Sequence, residues 1–277
     1  MPLKSYKPTS PGRRFLKTLD YSNLTKKKPE KALTAILNKR AGRSKVTGQI
    51  TIRFRGGGFK RKYRLVDFEY RKPDIISEVK AIEYDPNRSA FIALVLDSDG
   101  EKRYVLACEN LKVGDKILFS KNKIEIKNGN SMPLKYIPTG TFVYNIELQP
   151  GQGGKLVRAA GSYAQLLAQD GKYSLLKFPS GEIRKILSEC QGTIGQVSNI
   201  DRENIVLGKA GARRWRGRKP KVRGKAMNPK DHPHGGGEGR SPIGLVKPKT
   251  KWGKSALGVK TRRPKKMSDR LIVKRRT

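Results

Sequence analysis

Residues 90–107 read AFIALVLDSDGEKRYVLA, and they form the clearest hairpin signal in the chain. Ala90 to Leu96 is a β-rich apolar run, Asp97-Ser98-Asp99-Gly100 is turn chemistry, and Lys102 to Ala107 resumes the β pattern. Working outward, YRLVDFEY (63–70), VKAIEY (79–84), LKVGDKILF (111–119) and residues 123–126 read as further short strands. Six or so short strands with frequent turns predict a small barrel or sandwich. A second set begins near Met132: residues 141–148, 163–168, 173–178 and 182–187 read as strands, with 193–197 and 205–207 closing it. Gln169-Asp170-Gly171-Lys172 and Pro179-Ser180-Gly181 are the turn signals of that set. The pattern therefore predicts two β domains in tandem, meeting near residues 127–133, where Asn128-Gly129-Asn130 is the best linker signal.

Charge divides the chain differently. Its 277 residues carry 62 Lys and Arg against 23 Asp and Glu, a net of +39. Residues 1–64 hold 19 basic and 2 acidic side chains, residues 65–204 hold 19 and 18, and residues 205–277 hold 24 and 3. A near-neutral middle thus lies between two strongly basic arms. Self-repulsion on that scale calls for a polyanionic partner. No run of 18 apolar residues offers a bilayer span. The opening MPLKSYKPTSPGRRF lacks the apolar stretch of a secretory signal, and its Pro and Gly spoil a transit-peptide helix. Cys108 and Cys190 form no disulfide framework, so a reducing compartment is the default expectation.

The arms themselves carry little periodicity. In residues 1–64 a helical patch is expected over 31–37, and QITIRFR (49–55) alternates like a half-buried strand before Gly56-Gly57-Gly58. Lys26-Lys27-Lys28 resists packing. After Leu207 the regular pattern stops, with residues 243–246 and 271–273 the only short apolar exceptions; in isolation this segment is expected to be mostly disordered. The expected division is 1–64 as an N-terminal extension, 65–127 and 128–204 as domains, and 205–277 as a C-terminal extension.

The densest chemistry runs from Gly208 to Arg240. Arg213, Arg214, Arg216, Arg218, Lys219, Lys221 and Arg223 surround Trp215. Guanidinium forks match phosphate oxygens, an indole stacks on a base or ribose, and glycines let backbone approach RNA closely. A solvated basic linker would not need Arg and Gly interleaved with Trp. The same logic holds for Arg53, Arg55, Lys60, Arg61 and Lys62 around Gly56–Gly58, with Phe59 and Tyr63 either stacking on bases or serving as core at a domain edge. The only two histidines, His232 and His234, fall in DHPHGGGEGR (231–240). A metal site lacks an established ligand spacing, and catalysis by His232 with Asp231 lacks a nucleophile or a pocket; a glycine-rich RNA-contacting loop fits better. Gly253-Lys254-Ser255 mimics the end of a phosphate-binding loop, but Pro248 stands where its first glycine belongs. Gly151-Gln152-Gly153-Gly154 precedes strand pattern and reads as a loop.

With these residues in view, the chain resembles the bacterial-type large-subunit ribosomal protein two family over nearly its whole length. The resemblance is carried by KPTSPGRR (7–14), GGGFKRKYRLVDF (56–68), EYDPNRSAFIALV (83–95), and GKAGARRWRG through MNPKDHPHGGGEGR (208–240). It implies an OB-fold barrel followed by an SH3-like barrel, with long irregular basic extensions threaded into 23S-type rRNA. It also implies early binding and folding of that RNA, subunit association with contact to the small subunit, tRNA placement near the peptidyl-transferase region, and neighbouring ribosomal proteins as partners. Arg13, Arg14, His232, His234 and Arg240 join the basic residues above as expected RNA contacts. No catalytic residue, metal site or membrane is implied, and no cofactor beyond Mg2+ carried by the rRNA. A cytoplasmic ribosome of bacterial type is favoured over an organellar one. The rival is an RNA-directed enzyme using His232 and Asp231. Departures from the family pattern lie around residues 120–127 and 243–266.

Overall fold

The computed structural model describes residues 3–22, 24–25, 28–239 and 241–276. The Lys26–Lys27 pair and Arg240 lie outside them. The chain is mainly β and divides into two units: residues 1–38, 60–210 and 270–277 form the first, and residues 39–59 and 211–269 the second.

In the first unit, a four-stranded antiparallel sheet runs in the order Lys102–Leu106, Ile92–Asp97, Ile76–Glu83, Lys116–Leu118. The hairpin expected over 90–107 forms one side of it, with Ile92 opposite Leu106 and Leu96 opposite Lys102. In Ile76–Glu83 the side chains alternate between the core and the outer face, as period two demands, and Val79 is fully buried. A seven-stranded sheet follows, in the order Ile272–Lys274, Ile183–Leu187, Tyr173–Lys177, Ala164–Asp170, Phe142–Tyr144, Gln191–Ile194, Ser131–Pro133. Met132, Leu134, Ile137, Val143, Ile146, Leu166 and Leu176 are its fully buried core. Burying each such side chain contributes about 1.5–3 kcal/mol. This architecture is consistent with an OB-fold followed by an SH3-like barrel.

A shared apolar cluster ties the two sheets: Ala90, Leu106 and Cys108 from the first pack with Tyr144 and Val197 from the second. Tyr70 adds a polar tie, its hydroxyl donating to the Asn145 carbonyl at 2.6 Å while packing edge-on against Phe119. Both cysteines are free and buried, and burial pushes the Cys108 thiol up to about 11 and Cys190 to about 12.

Several expected elements take another form. Residues 31–37 hold no helix; Thr34–Ile36 is a strand paired with Lys62–Arg64. A seven-residue helix is too short to stand without packing, and here Leu33 packs toward Ala81, Ile92, Leu94 and Tyr104. QITIRFR forms no strand: Ile50 and Ile52 are more than half exposed, and Phe54 has a left-handed φ of 61° that breaks the ladder. Residues 123–126 are irregular because the Asn130 side chain stands in for a strand partner, donating to the Glu125 carbonyl and accepting from Leu118 N–H. Within 111–119 only Lys116–Leu118 is strand, since the Asp115 carboxylate accepts Lys112 N–H and closes a turn. The residue 151–154 loop is held by Glu147, a buried carboxylate that accepts N–H bonds from Gly151, Gly153 and Gln191.

The extensions are largely irregular but not bare. Leu3–Ser5 pairs with Lys17–Leu19, Leu19 is buried, and Lys17 bridges Val206. At the other end, Ile272–Lys274 completes the seven-stranded sheet against Ile183 and Arg184.

Candidate nucleic-acid interface

The second unit is where charge concentrates: residues 39–59 and 211–269 carry 25 Lys and Arg against 3 acids. None of the apolar core clusters among the described residues draws on it. Backbone pairing holds it instead. Arg55 and Arg218 form an antiparallel bridge, Gly56 N–H donates to the Gly217 carbonyl at 3.1 Å, and Phe59 N–H donates to the Trp215 carbonyl at 3.1 Å. Lys219 N–H returns a bond to the Phe54 carbonyl at 3.0 Å. The Lys39 ammonium gathers the Gly57, Gly58 and Phe59 carbonyls. Two basic segments some 160 residues apart in the sequence are thereby joined into one surface.

Gly58 is the tightest point of that joint. Its φ is +79°, and a Cβ there would lie 2.7 Å from both the Trp215 carbonyl oxygen and the Gly217 nitrogen. Only glycine fits without moving backbone. Gly58→Ala is therefore expected to speed hydrogen exchange at the Gly56 and Phe59 amides by about tenfold or more, with global melting almost unchanged. Unaltered exchange would mean the joint tolerates a side chain.

Around the joint the cations point outward. Arg213, Arg214, Arg216, Arg218, Lys219, Lys221 and Arg223 are exposed, as is Arg55, while Arg53 is half-buried with its guanidinium 5.1 Å over Phe54 and 5.5 Å over Trp252. Trp215 is 50% exposed and Phe59 69%, their rings tilted at 6.3 Å. Phe59 is thus no core residue. A short helix, Ala210–Trp215, underlies the Arg213-Arg214-Trp215 run; glycines on either side hid it from periodicity.

Both histidines are acceptors. His232 is buried against Gly224, where a Cβ would come within 2.5 Å of the ring, and its Nδ1 accepts the His234 N–H at 3.1 Å. His234 Nε2 accepts the Lys249 N–H at 2.8 Å, and the two rings lie 4.7 Å apart. The lone pair that each ring offers is thus already engaged, and neither Asp231 nor Glu238 bonds to them among the described residues. Burial, then the neighbouring His234, Arg53 and Lys251, lowers the His232 pKa below its ordinary 6.5. A lowered pKa favours the neutral ring in the fold. The stabilisation is complete above pH 6.5 and is lost as pH falls through the window below it. An NMR titration should find the His232 midpoint below 6.5, with the Lys249 and His234 amide shifts moving as the loop opens.

In the first unit, Arg13 and Arg14 close a one-turn helix, Pro11–Arg14, and are exposed, with Arg13 over Tyr6 and Arg14 over Phe15. Lys60, Arg61 and Lys62 are exposed too, Arg61 donating to the Pro86 carbonyl at 3.0 Å. The predicted residues are therefore divided between the two units. Arg88, within the 83–95 motif but outside any basic cluster, and Arg158 flank the Phe68 ring at 5.3 and 4.4 Å. Isolated in sequence, they offered no cluster to notice. The Gly253-Lys254-Ser255 match is a turn closed by Thr250 N–H to the Lys254 carbonyl, with no helix after it to face a phosphate. No cluster of metal-ligating side chains occurs among the described residues.

Residues 30–119 match the family described as Ribosomal Proteins L2, RNA binding N-terminal domain, and residues 127–253 match Ribosomal Proteins L2, C-terminal domain. The chain belongs to the ribosomal protein L2 family. L2-family proteins are structural and RNA-binding components of the large ribosomal subunit, where they bind rRNA and other ribosomal proteins. The C-terminal match takes in the whole 208–240 run and both histidines, so the residues of densest charge belong to the family domain.

Proposed function

We propose that this chain is a primary binder of 23S-type rRNA in a bacterial-type, cytoplasmic large subunit, helping that RNA fold and supporting subunit association and tRNA placement near the peptidyl-transferase region. The phosphate and base contacts are assigned to Arg13, Arg14, Arg53, Arg55, Lys60, Arg61, Lys62, Arg213, Arg214, Trp215, Arg216, Arg218, Lys219, Lys221, Arg223, His232, His234 and Arg240. The observation that carries this reading is the joint between Gly56–Gly58 and Trp215–Lys219. It builds a net charge of +22 onto a unit that shows no apolar core among its described residues, an arrangement that gains most of its stabilisation from a polyanion. Cations interleaved with half-exposed aromatics favour RNA over a featureless anionic surface. The β barrels hold the emergent ends of both arms.

The enzymatic reading is weaker because a general base needs a free lone pair. His232 Nδ1 and His234 Nε2 already accept backbone N–H groups. Mg2+ enters this proposal only as an ion carried by the rRNA. Competition at physiological salt tests the reading: structured rRNA should displace the chain from duplex DNA with at least a tenfold preference. Equal affinity would mean a charge-driven binder without site recognition. His232→Ala should weaken rRNA binding or assembly without any discrete chemical defect, whereas turnover of an RNA or ester substrate by the purified chain would sink the structural reading.

A further inference from the structure

On the seven-stranded sheet, Phe142, Gln165, Lys177, Ile183 and Lys274 stand opposite one another on successive strands, so their side chains share a face. It is the outer face: Val143 and Ala164, next along their strands, are fully buried, whereas Phe142 is 42% exposed. Tyr163, itself 39% exposed, places its ring 4.4 Å from that of Phe142 at an interplanar angle of 42°. The pair borders a cleft of about 390 Å³ that Phe178 and Pro179 also line. Among the described residues no carboxylate lines this cleft; its polar side chains are Ser162, Gln165 and Lys177. Lys274 is two strands beyond Lys177, about 10 Å across the sheet.

What would such a face hold? Strands on both sides of Phe142–Tyr144 and of Ala164–Asp170 occupy their backbone groups, which removes the edge addition by which extended peptides are commonly held. Two adjacent exposed rings, an amide able to meet a base edge, and flanking ammonium groups without carboxylates instead match an unpaired nucleotide: π surface for the base, charge for its phosphates. We propose that Phe142 and Tyr163 form a stacking platform for an unpaired rRNA base, with Lys177 and Lys274 on the adjoining phosphates. The platform rests on the rRNA-binding reading above and adds base stacking by Phe142 and Tyr163, two residues remote in sequence from both arms.

The test uses the full chain bound to large-subunit rRNA, with chemical probing of unpaired bases and binding measured across a salt series. Phe142→Ala with Tyr163→Ala should weaken binding about tenfold, raise the reactivity of one or a few unpaired nucleotides, and leave the salt slope alone. Phe142→Trp with Tyr163→Phe should behave like the parent. Lys177→Ala should flatten the salt slope by about 0.7–0.9. Both rings are well exposed, so the double variant should melt near the parent temperature; should it not fold, Tyr163→Leu removes the π face while keeping apolar contact. RNA binding retained with unchanged affinity and unchanged base reactivity overturns the platform and leaves the rRNA-binding reading standing. Failure of the parent chain to prefer rRNA in the competition removes the reading itself. Ultraviolet cross-linking in the assembled subunit adds a direct outcome: a Tyr163–nucleotide link supports the platform, and a link to a neighbouring protein overturns it.

Discussion

Replacing Arg213, Arg214, Arg216, Arg218, Lys219, Lys221 and Arg223 with Ala should cost the chain most of its rRNA affinity and flatten its salt dependence by about 5–6 in slope. The parent chain, neutralising on the order of ten phosphates, is expected to show a slope near −7 to −9 in log affinity against log salt. All seven side chains are exposed and lie on or beside the joint with Gly56–Gly58, so each is free to release a counterion on binding. At about 0.15 M salt the expected loss is of the order of a thousandfold. Trp215→Ala separates charge from stacking: affinity should fall by about 1–3 kcal/mol with the slope unchanged. Binding titrations from 50 to 300 mM salt give both numbers. A slope that shifts by less than one for the sevenfold variant would show that phosphate contact lies elsewhere, the exposed Arg13, Arg14, Lys60, Arg61 and Lys62 being the next group to remove.

How far this was legible in the sequence depends on the range of the interaction involved. The 90–107 hairpin was legible because its information is local: apolar runs of the right length around an Asp-Ser-Asp-Gly turn. The 163–187 strands were legible for the same reason. QITIRFR misled because alternation implies a half-buried strand only where there is a core to bury it, and residues 39–59 have none. The Ile272–Lys274 strand was seen only as a short apolar run, since its partner lies about 90 residues upstream at Ile183–Arg184. At the interface, composition identified the basic residues of both arms, yet nothing in it indicated that Arg55 would pair with Arg218 while Lys60 to Lys62 would fall in the other unit. Gly58 was read as freedom for the backbone to approach RNA; in the structure its missing side chain admits the Trp215 carbonyl. Tyr163 stood in an expected strand; it lies just before Ala164–Asp170, and only its ring contact with Phe142 places it on an exposed aromatic face.

Arg103→Ala is expected to be the most destabilising single substitution in the first barrel. The guanidinium is 7% exposed and sits between two carboxylates, Asp97 (0%) and Asp67 (8%). Nη1 donates to Asp67 at 2.8 Å, and Nη2 donates to Asp97 at 2.8 Å and to the Ser77 hydroxyl at 3.1 Å. Ser77 in turn donates to Asp97 at 2.7 Å, and Phe119 lies 5.5 Å from the guanidinium carbon. Removing the cation leaves two buried carboxylates facing each other, with the Lys72 ammonium, 3.9 Å from Asp97 but already engaged by Asp99 and Glu101, as the nearest remaining compensation. Breaking a buried pair in this way costs about 3–5 kcal/mol, far beyond what an exposed pair such as Arg71–Glu69 contributes. For a chain of this size that corresponds to roughly a 10 °C fall in melting temperature. Arg103→Lys keeps the charge but one ammonium cannot span three acceptors, so about half the loss should remain. In an Asp97→Ala background, Arg103→Ala should cost visibly less, a coupling of about 1–3 kcal/mol by double-mutant cycle in denaturant. Additive losses would mean that the guanidinium acts through its packing on Phe119 and not through the carboxylates, and rRNA affinity per folded molecule should stay unchanged in either case, because this cluster faces the barrel core.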